Sequence, residues 1–94
     1  MPHISLAPHL LRHLSDRPEL KQGLSVQGDS VRSALEDAFR QVPRLRGYVL
    51  DEQGQARRHV AIFVNGAQVA DRKELGDKVG DADRIHLLQA LTGG

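Results

Sequence analysis

Arg84-Ile85-His86-Leu87-Leu88-Gln89-Ala90-Leu91 reads as a β-strand near the end of this 94-residue chain. It is apolar enough to be covered, whereas edge strands are usually shorter or more charged. It therefore belongs in the interior of a sheet. The last residues, Thr92-Gly93-Gly94, are then launched from a rigid base.

Working back, Val60-Ala61-Ile62-Phe63-Val64 is a continuous apolar run, as expected of a central strand buried on both faces. Asn65-Gly66 after it is a strong hairpin signal, and Gln68-Val69 reads as a brief returning strand. Residues 71–83 are polar and turn-rich, with Leu75 and Val79 as core anchors. Upstream, Arg44 to Arg58 reads as a polar excursion turning at Gly54.

The helix has the clearest local pattern. Val31, Ala34, Leu35, Ala38, Phe39 and Val42 recur at helical spacing. Asp29 or Ser30 can cap the first turn, and Pro43 ends the helix by lacking an amide donor. Arg32, Glu36, Asp37 and Arg40 are expected on the solvated face. His3-Ile4-Ser5-Leu6-Ala7 alternates as a first strand, closed by Pro8. Leu20, Gln22, Leu24 and Val26 share one parity, so 20–26 reads as a second strand, weakened at Gly23. Residues 9–14 between them form either a helical turn or an extension of the first strand.

The order is strand, strand, helix, strand, short strand, strand. A sheet with one helix across one face buries two apolar surfaces of this size. The expected class is α+β: a β-grasp arrangement with a mixed sheet of four to five strands, one main helix (30–42), and strands 60–64 and 84–91 inside. Residues 1–91 form the domain and 92–94 a flexible tail. Val31, Leu35, Phe39, Ile62, Val64, Ile85 and Leu87 are expected to include most of the core.

Composition narrows the function. The formal net charge of +1 argues against strong nonspecific nucleic-acid binding, and three aromatic residues are too few for stacking platforms. There is no cysteine, hence no thiolate metal site or cysteine nucleophile. No apolar run approaches the roughly 20 residues of a spanning helix, and the start lacks the features of a signal peptide. A cytoplasmic protein with no membrane or nucleic-acid partner is the expectation.

The chemistry points to the diglycine. Gly93 and Gly94 carry no side chain to obstruct a terminal carboxylate, and both reach backbone angles closed to other residues. A narrow enzyme channel can admit such a tail. Leu91 to Gly94, extended, reaches roughly 13 Å. The plainer alternative is a frayed Gly-rich end. Other candidates have bland readings as well. Arg57-Arg58-His59 either docks an acidic partner surface or is a solvated basic stretch. His9 and His13 would share a helical face but lack a third ligand at useful spacing. Asp81 and Asp83 are explained by a turn. No residue cluster supplies a nucleophile with its base, so an enzyme is not expected.

The helix, the excursion, His59 to Gly66, Asp81-Ala82-Asp83-Arg84-Ile85 and the diglycine together resemble the small sulfur-carrier family. That family, the MoaD/ThiS group, has a ubiquitin-like β-grasp fold. It includes the small subunit of molybdopterin synthase and the thiamine and cysteine-pathway sulfur carriers. The resemblance covers nearly the whole chain and is most specific at Asn65-Gly66 and Gly93-Gly94. It departs at Ala82, where the family often has glycine, and at Gln89, where a proline often precedes the diglycine. If the turn at 82 needs a positive φ, alanine is strained there.

The resemblance implies a carrier with no bound cofactor. An E1-like adenylyltransferase would activate the Gly94 carboxylate with ATP, a sulfur donor would convert it to a thiocarboxylate, and a sulfur-accepting synthase would take the sulfur. It also implies a docking patch on the sheet face away from the helix. Strand parity puts either Leu87 or Leu88 there, with Leu91, Thr92, Arg57 and Arg58 as further docking candidates. Two other functions stay open: a ubiquitin-like modifier joined to target lysines, which shares this fold and tail, and a noncovalent β-grasp interaction module, for which the diglycine would be accidental.

Overall fold

The computed structural model describes residues 1–89; Ala90–Gly94 lie outside the described residues, and with them the expected tail and the last two residues of the strand at 84–91. The described chain runs β1 (His3–Leu6), α1 (Pro8–Leu11), β2 (Leu24–Ser25), α2 (Val31–Gln41), α3 (Pro43–Val49), β3 (Val60–Val64), β4 (Ala67–Gln68) and β5 (Arg84–Gln89). Short 3₁₀ turns occupy Arg12–Leu14 and Pro18–Gln22. The five strands form one mixed sheet in the order β2-β1-β5-β3-β4. β5 lies at its centre, parallel to β1 and antiparallel to β3. This is the β-grasp arrangement expected.

Alternation along each strand sends one set of side chains into the core. Ile4, Leu6, Val60, Ile62, Ile85 and Leu87 are all buried on the helix side, against Val31, Leu35 and Phe39 of α2. Val64 packs against this core while keeping part of its surface in solvent. Leu75 and Val79 are buried as expected.

The first turn of α2 accounts for its unpaired amides. Ser30 Oγ accepts the Ser33 N–H, and Ser33 Oγ in turn accepts the Ser30 N–H, a reciprocal cap. The Val31 and Arg32 amides donate to the Asp77 and Leu75 carbonyls, both at 2.8 Å. The 71–83 loop thereby closes over the helix start. The Arg32 guanidinium adds bonds to the carbonyls of Gly54, Lys73 and Glu74.

Four expectations need correction. First, β3 is not covered on both faces: of its residues only Val60 and Ile62 are buried, because the helices pack on one side of the sheet alone. Second, α2 is followed by a second helix, so residues 44–49 are not irregular. Pro43 sits at the first position of α3, where the missing amide costs nothing. Leu45 and Val49 bury the same face one turn apart. Third, Asp37 is not on a solvated face. It is only 9% exposed and accepts the Gln27 amide at 2.9 Å while pairing with Arg40, so it ties the 26–28 loop to the helix. Fourth, β2 shrinks to two residues, and Leu20 is buried from a 3₁₀ turn instead.

Gly23 is why β2 cannot run back to Leu20. It ends that turn with φ +83°. A Cβ there would lie 2.5 Å from the Ile4 carbonyl oxygen and 2.4 Å from His3 Nε2. Gly23→Ala adds about 1–3 kcal/mol for a backbone region that is nearly exclusive to glycine, on top of a clash with the Ile4 carbonyl. A urea melt of the variant should show a loss of at least about 1 kcal/mol; an unchanged midpoint would disprove this account of the turn.

Candidate functional site

The site is built at the end of the sheet where β5 leaves it. On one side, Leu6 pairs with Leu87, and the Ala7 amide donates to the Leu87 carbonyl at 2.9 Å. Pro8 has no amide to extend the ladder, so the chain turns off into α1. On the other side, β3 begins at Val60, opposite Gln89. β5 is thus held on both sides through Leu87 and continues along β3 to Gln89. Leu91, Thr92, Gly93 and Gly94 come after it and lie outside the described residues.

Parity assigns the two leucines. Leu87 is 0% exposed and points into the core, so it is not a docking residue. Leu88 is half-buried on the opposite, helix-free face, across from Ala61. Next to it, Phe63 faces His86, and His86 Nδ1 is 2.6 Å from Ser5 Oγ across the parallel pair. This open face mixes Leu88, Ala61 and Phe63 with Ser5 and His86. It carries no broad apolar patch: Met1 is the only exposed large hydrophobic among the described residues.

Arg57 and Arg58 differ in role. Arg57 Nε donates to the Gly47 carbonyl at 2.7 Å, and its own carbonyl accepts from Arg72, so Arg57 holds the excursion against α3. Arg58 is exposed just before β3, near the point where β5 leaves the sheet. His13 stacks on Tyr48, with ring centroids 4.6 Å apart. It therefore joins the 12–14 turn to α3. Among the described residues no three His, Asp or Glu side chains group as metal ligands, and no helix is long and apolar enough to cross a membrane.

At the start of β5 the hairpin and the turn before it interlock. Asn65 and Gly66 take φ values of 52° and 88°, as a tight hairpin requires. Asn65 Nδ2 donates to Asp83 Oδ1 at 2.8 Å, and Asn65 Oδ1 accepts the Arg84 amide at 2.8 Å. Asp83 Oδ2 accepts the Gly80 amide at 2.7 Å. Ala82 needs no positive φ, because among the described residues only Asn65, Leu75 and certain glycines have one. Alanine at 82 is therefore unstrained. The Asn65–Asp83 link spans two segments, and no local pattern announced it.

The Gly80 amide first, and then the Asn65 side chain, hold the Asp83 carboxyl below its ordinary pKa. Asp71 is lowered likewise by the backbone amides of its own turn, Glu74 foremost. Both prefer to be ionised in the folded state. Their stabilisation is complete above the ordinary carboxylate pKa of about 4 and is lost as the pH falls through their lowered folded-state values. Urea midpoints should therefore fall in acid, and Asp83→Asn should flatten that fall. An identical acid profile in the variant would contradict the assignment.

Fold and register together define a β-grasp domain with β5 as its central strand. The ThiS family model matches residues 9–94, and the chain belongs to that family. No curated protein matches it. Among solved structures it is similar to a chain of the Amycolatopsis orientalis BexX/CysO complex, at TM-score 0.79 and 21% identity over 100% of both chains. It is similar to Mycobacterium tuberculosis CysO, at TM-score 0.78 and 22% identity over 97% of this chain and 100% of that one. It is also similar to Haloferax volcanii SAMP1, at TM-score 0.75 and 23% identity over 99% and 98%. At these identities the likeness is one of fold.

Proposed function

We propose that this protein is a sulfur carrier whose reactive group is the carboxylate of Gly94. The observation that carries this reading is the ThiS family match, which continues through Gly93-Gly94 behind the central strand. A carboxylate is a poor electrophile. In the proposed cycle an E1-like enzyme joins it to the α-phosphate of ATP, releasing pyrophosphate. Hydrosulfide delivered by a sulfur donor attacks the acyl carbon, the bond to the phosphate oxygen breaks and AMP leaves. Gly94 then ends in a thiocarboxylate. A sulfur-accepting synthase takes the sulfur, and water returns the carboxylate. The chain itself contributes a docking surface and a tail, in the cytoplasm, and binds no cofactor; ATP is the partner's substrate.

A second reading is supported by the similarity to SAMP1, the small archaeal modifier protein 1. There the same activated carboxylate would be joined to a lysine of a target protein. Intact mass of the protein purified from its own host tests both. A gain of about 16 Da at Gly94, oxygen replaced by sulfur, supports the carrier at this activated acyl group. Adducts on target lysines with no such gain favour the modifier. Neither form, in a host that expresses the protein, refutes the proposal.

A further inference from the structure

A groove of about 470 Å³ opens between α1 and the 3₁₀ turn at Pro18–Gln22. Pro8, Leu11, Leu14 and Pro18 give it an apolar lining, to which the exposed Arg12 and Lys21 add charge. Arg17 also lines it, but its charge is met by Glu19 at 2.6 Å. Among the described residues Arg12 and Lys21 have no carboxylate partner, and both are exposed. The groove's position matters as much as its lining. Its α1 wall begins directly after β1, at the end of the sheet from which β5 leaves. A protein that grasps the tail beyond Gln89 has to close over that end.

Resting on the carrier reading, we propose that the groove receives an acidic, leucine-like segment of the enzyme that activates the tail. Charge selects the occupant. Two unmatched cations beside an apolar lining favour carboxylates flanking an aliphatic side chain, and repel a basic segment. The aliphatic group displaces water from Leu11 and the two prolines. The carboxylates meet Arg12 and Lys21, where they speed and orient the encounter. This surface is separate from the open sheet face around Leu88, so two contacts would fix the carrier's rotation about the axis of its tail.

The test has two arms. The first is an NMR titration of the ¹⁵N-labelled full chain with a capped hexapeptide of alternating glutamate and leucine. Its lysine-for-glutamate and serine-for-leucine counterparts serve as controls. Shifts should concentrate at the amides of Leu11, Arg12, Leu14 and Lys21 and be weak with either control. The double variant Arg12→Glu, Lys21→Glu should bind roughly tenfold more weakly. Absence of shifts, equal shifts at Lys73 and Lys78, or undiminished binding by the variant overturns the proposal. The second arm is ATP–pyrophosphate exchange with the cognate activating enzyme. The double variant should raise KM for the carrier by about fivefold with kcat kept, as expected of exposed charges. Exchange with an unchanged KM overturns the groove's role. Absence of exchange by the unaltered protein defeats the carrier reading instead, while the peptide titration still decides the chemistry of the groove.

Discussion

Deletion of Gly94 is expected to lower ATP–pyrophosphate exchange with the cognate activating enzyme by at least about 100-fold. Displacing a reacting group by 1 Å can cost this much, and removing one extended residue withdraws the carboxylate by roughly 3.3 Å. The shortened tail still ends in a carboxylate, so the loss would come from position and not from chemistry. Replacing Gly93 with valine should also impair exchange, through clash in a narrow channel and lost backbone freedom. Both changes lie beyond Gln89, past every buried residue described, so the urea midpoint should not move. Normal exchange without Gly94 would end the proposal that this carboxylate is the one activated.

The second large effect separates neighbouring leucines. Leu87→Ala should cost about 3 kcal/mol or more, because Leu87 is fully buried at the centre of the sheet and its cavity cannot refill with water. In a domain of this size that lowers Tm by on the order of 15 °C. Leu88→Ala should cost less than about 1 kcal/mol, since that side chain is half-buried on the open face. It should instead raise KM for the carrier in the exchange assay. Thermal melts of the two variants decide the matter: equal losses of stability would mean that the parity of β5 has been misassigned.

Where periodicity and burial agree, the fold is legible from residues alone. Arg84–Gln89 and Val31–Gln41 announce their element because apolar spacing and core face coincide. Val60–Val64 announces a strand but not its faces, since an unbroken apolar run reads as buried on both, whereas only Val60 and Ile62 are buried and Ala61 and Phe63 lie on the helix-free face. The misreadings come from residues with two local meanings. Pro43 stops one helix and starts the next equally well, and Gly47 masks the helical spacing of Leu45 and Val49. Leu20, Leu24 and Val26 are all buried, as a strand's inward side would be, yet the positive-φ backbone at Gly23 breaks them into a turn and a two-residue strand. Asp37 looks solvated until a distant amide, that of Gln27, is found to need an acceptor. The site was legible in a different way. Parity left one of two leucines for the helix-free face, and the geometry places Leu88 there. The groove at Arg12 and Lys21 was not legible, because it exists only once α1 and the following 3₁₀ turn fold against each other.

The pairing of β1 with β5 also sets a timetable for biosynthesis. His3 to Leu6 leave the ribosome early, but their central neighbour, Arg84 to Gln89, is translated last among the strands. Until then β1 has only the two-residue β2 to lean on, and β3 has only β4. Each two-stranded piece is marginal in water by itself. The domain must therefore condense in one late step, through contacts between the ends of the chain. Ile4, Leu6, Val60 and Ile62 stay uncovered through most of translation. Chaperone occupancy on the newly made polypeptide should accordingly persist until residues 84–89 are clear of the ribosome, and drop sharply after they pair.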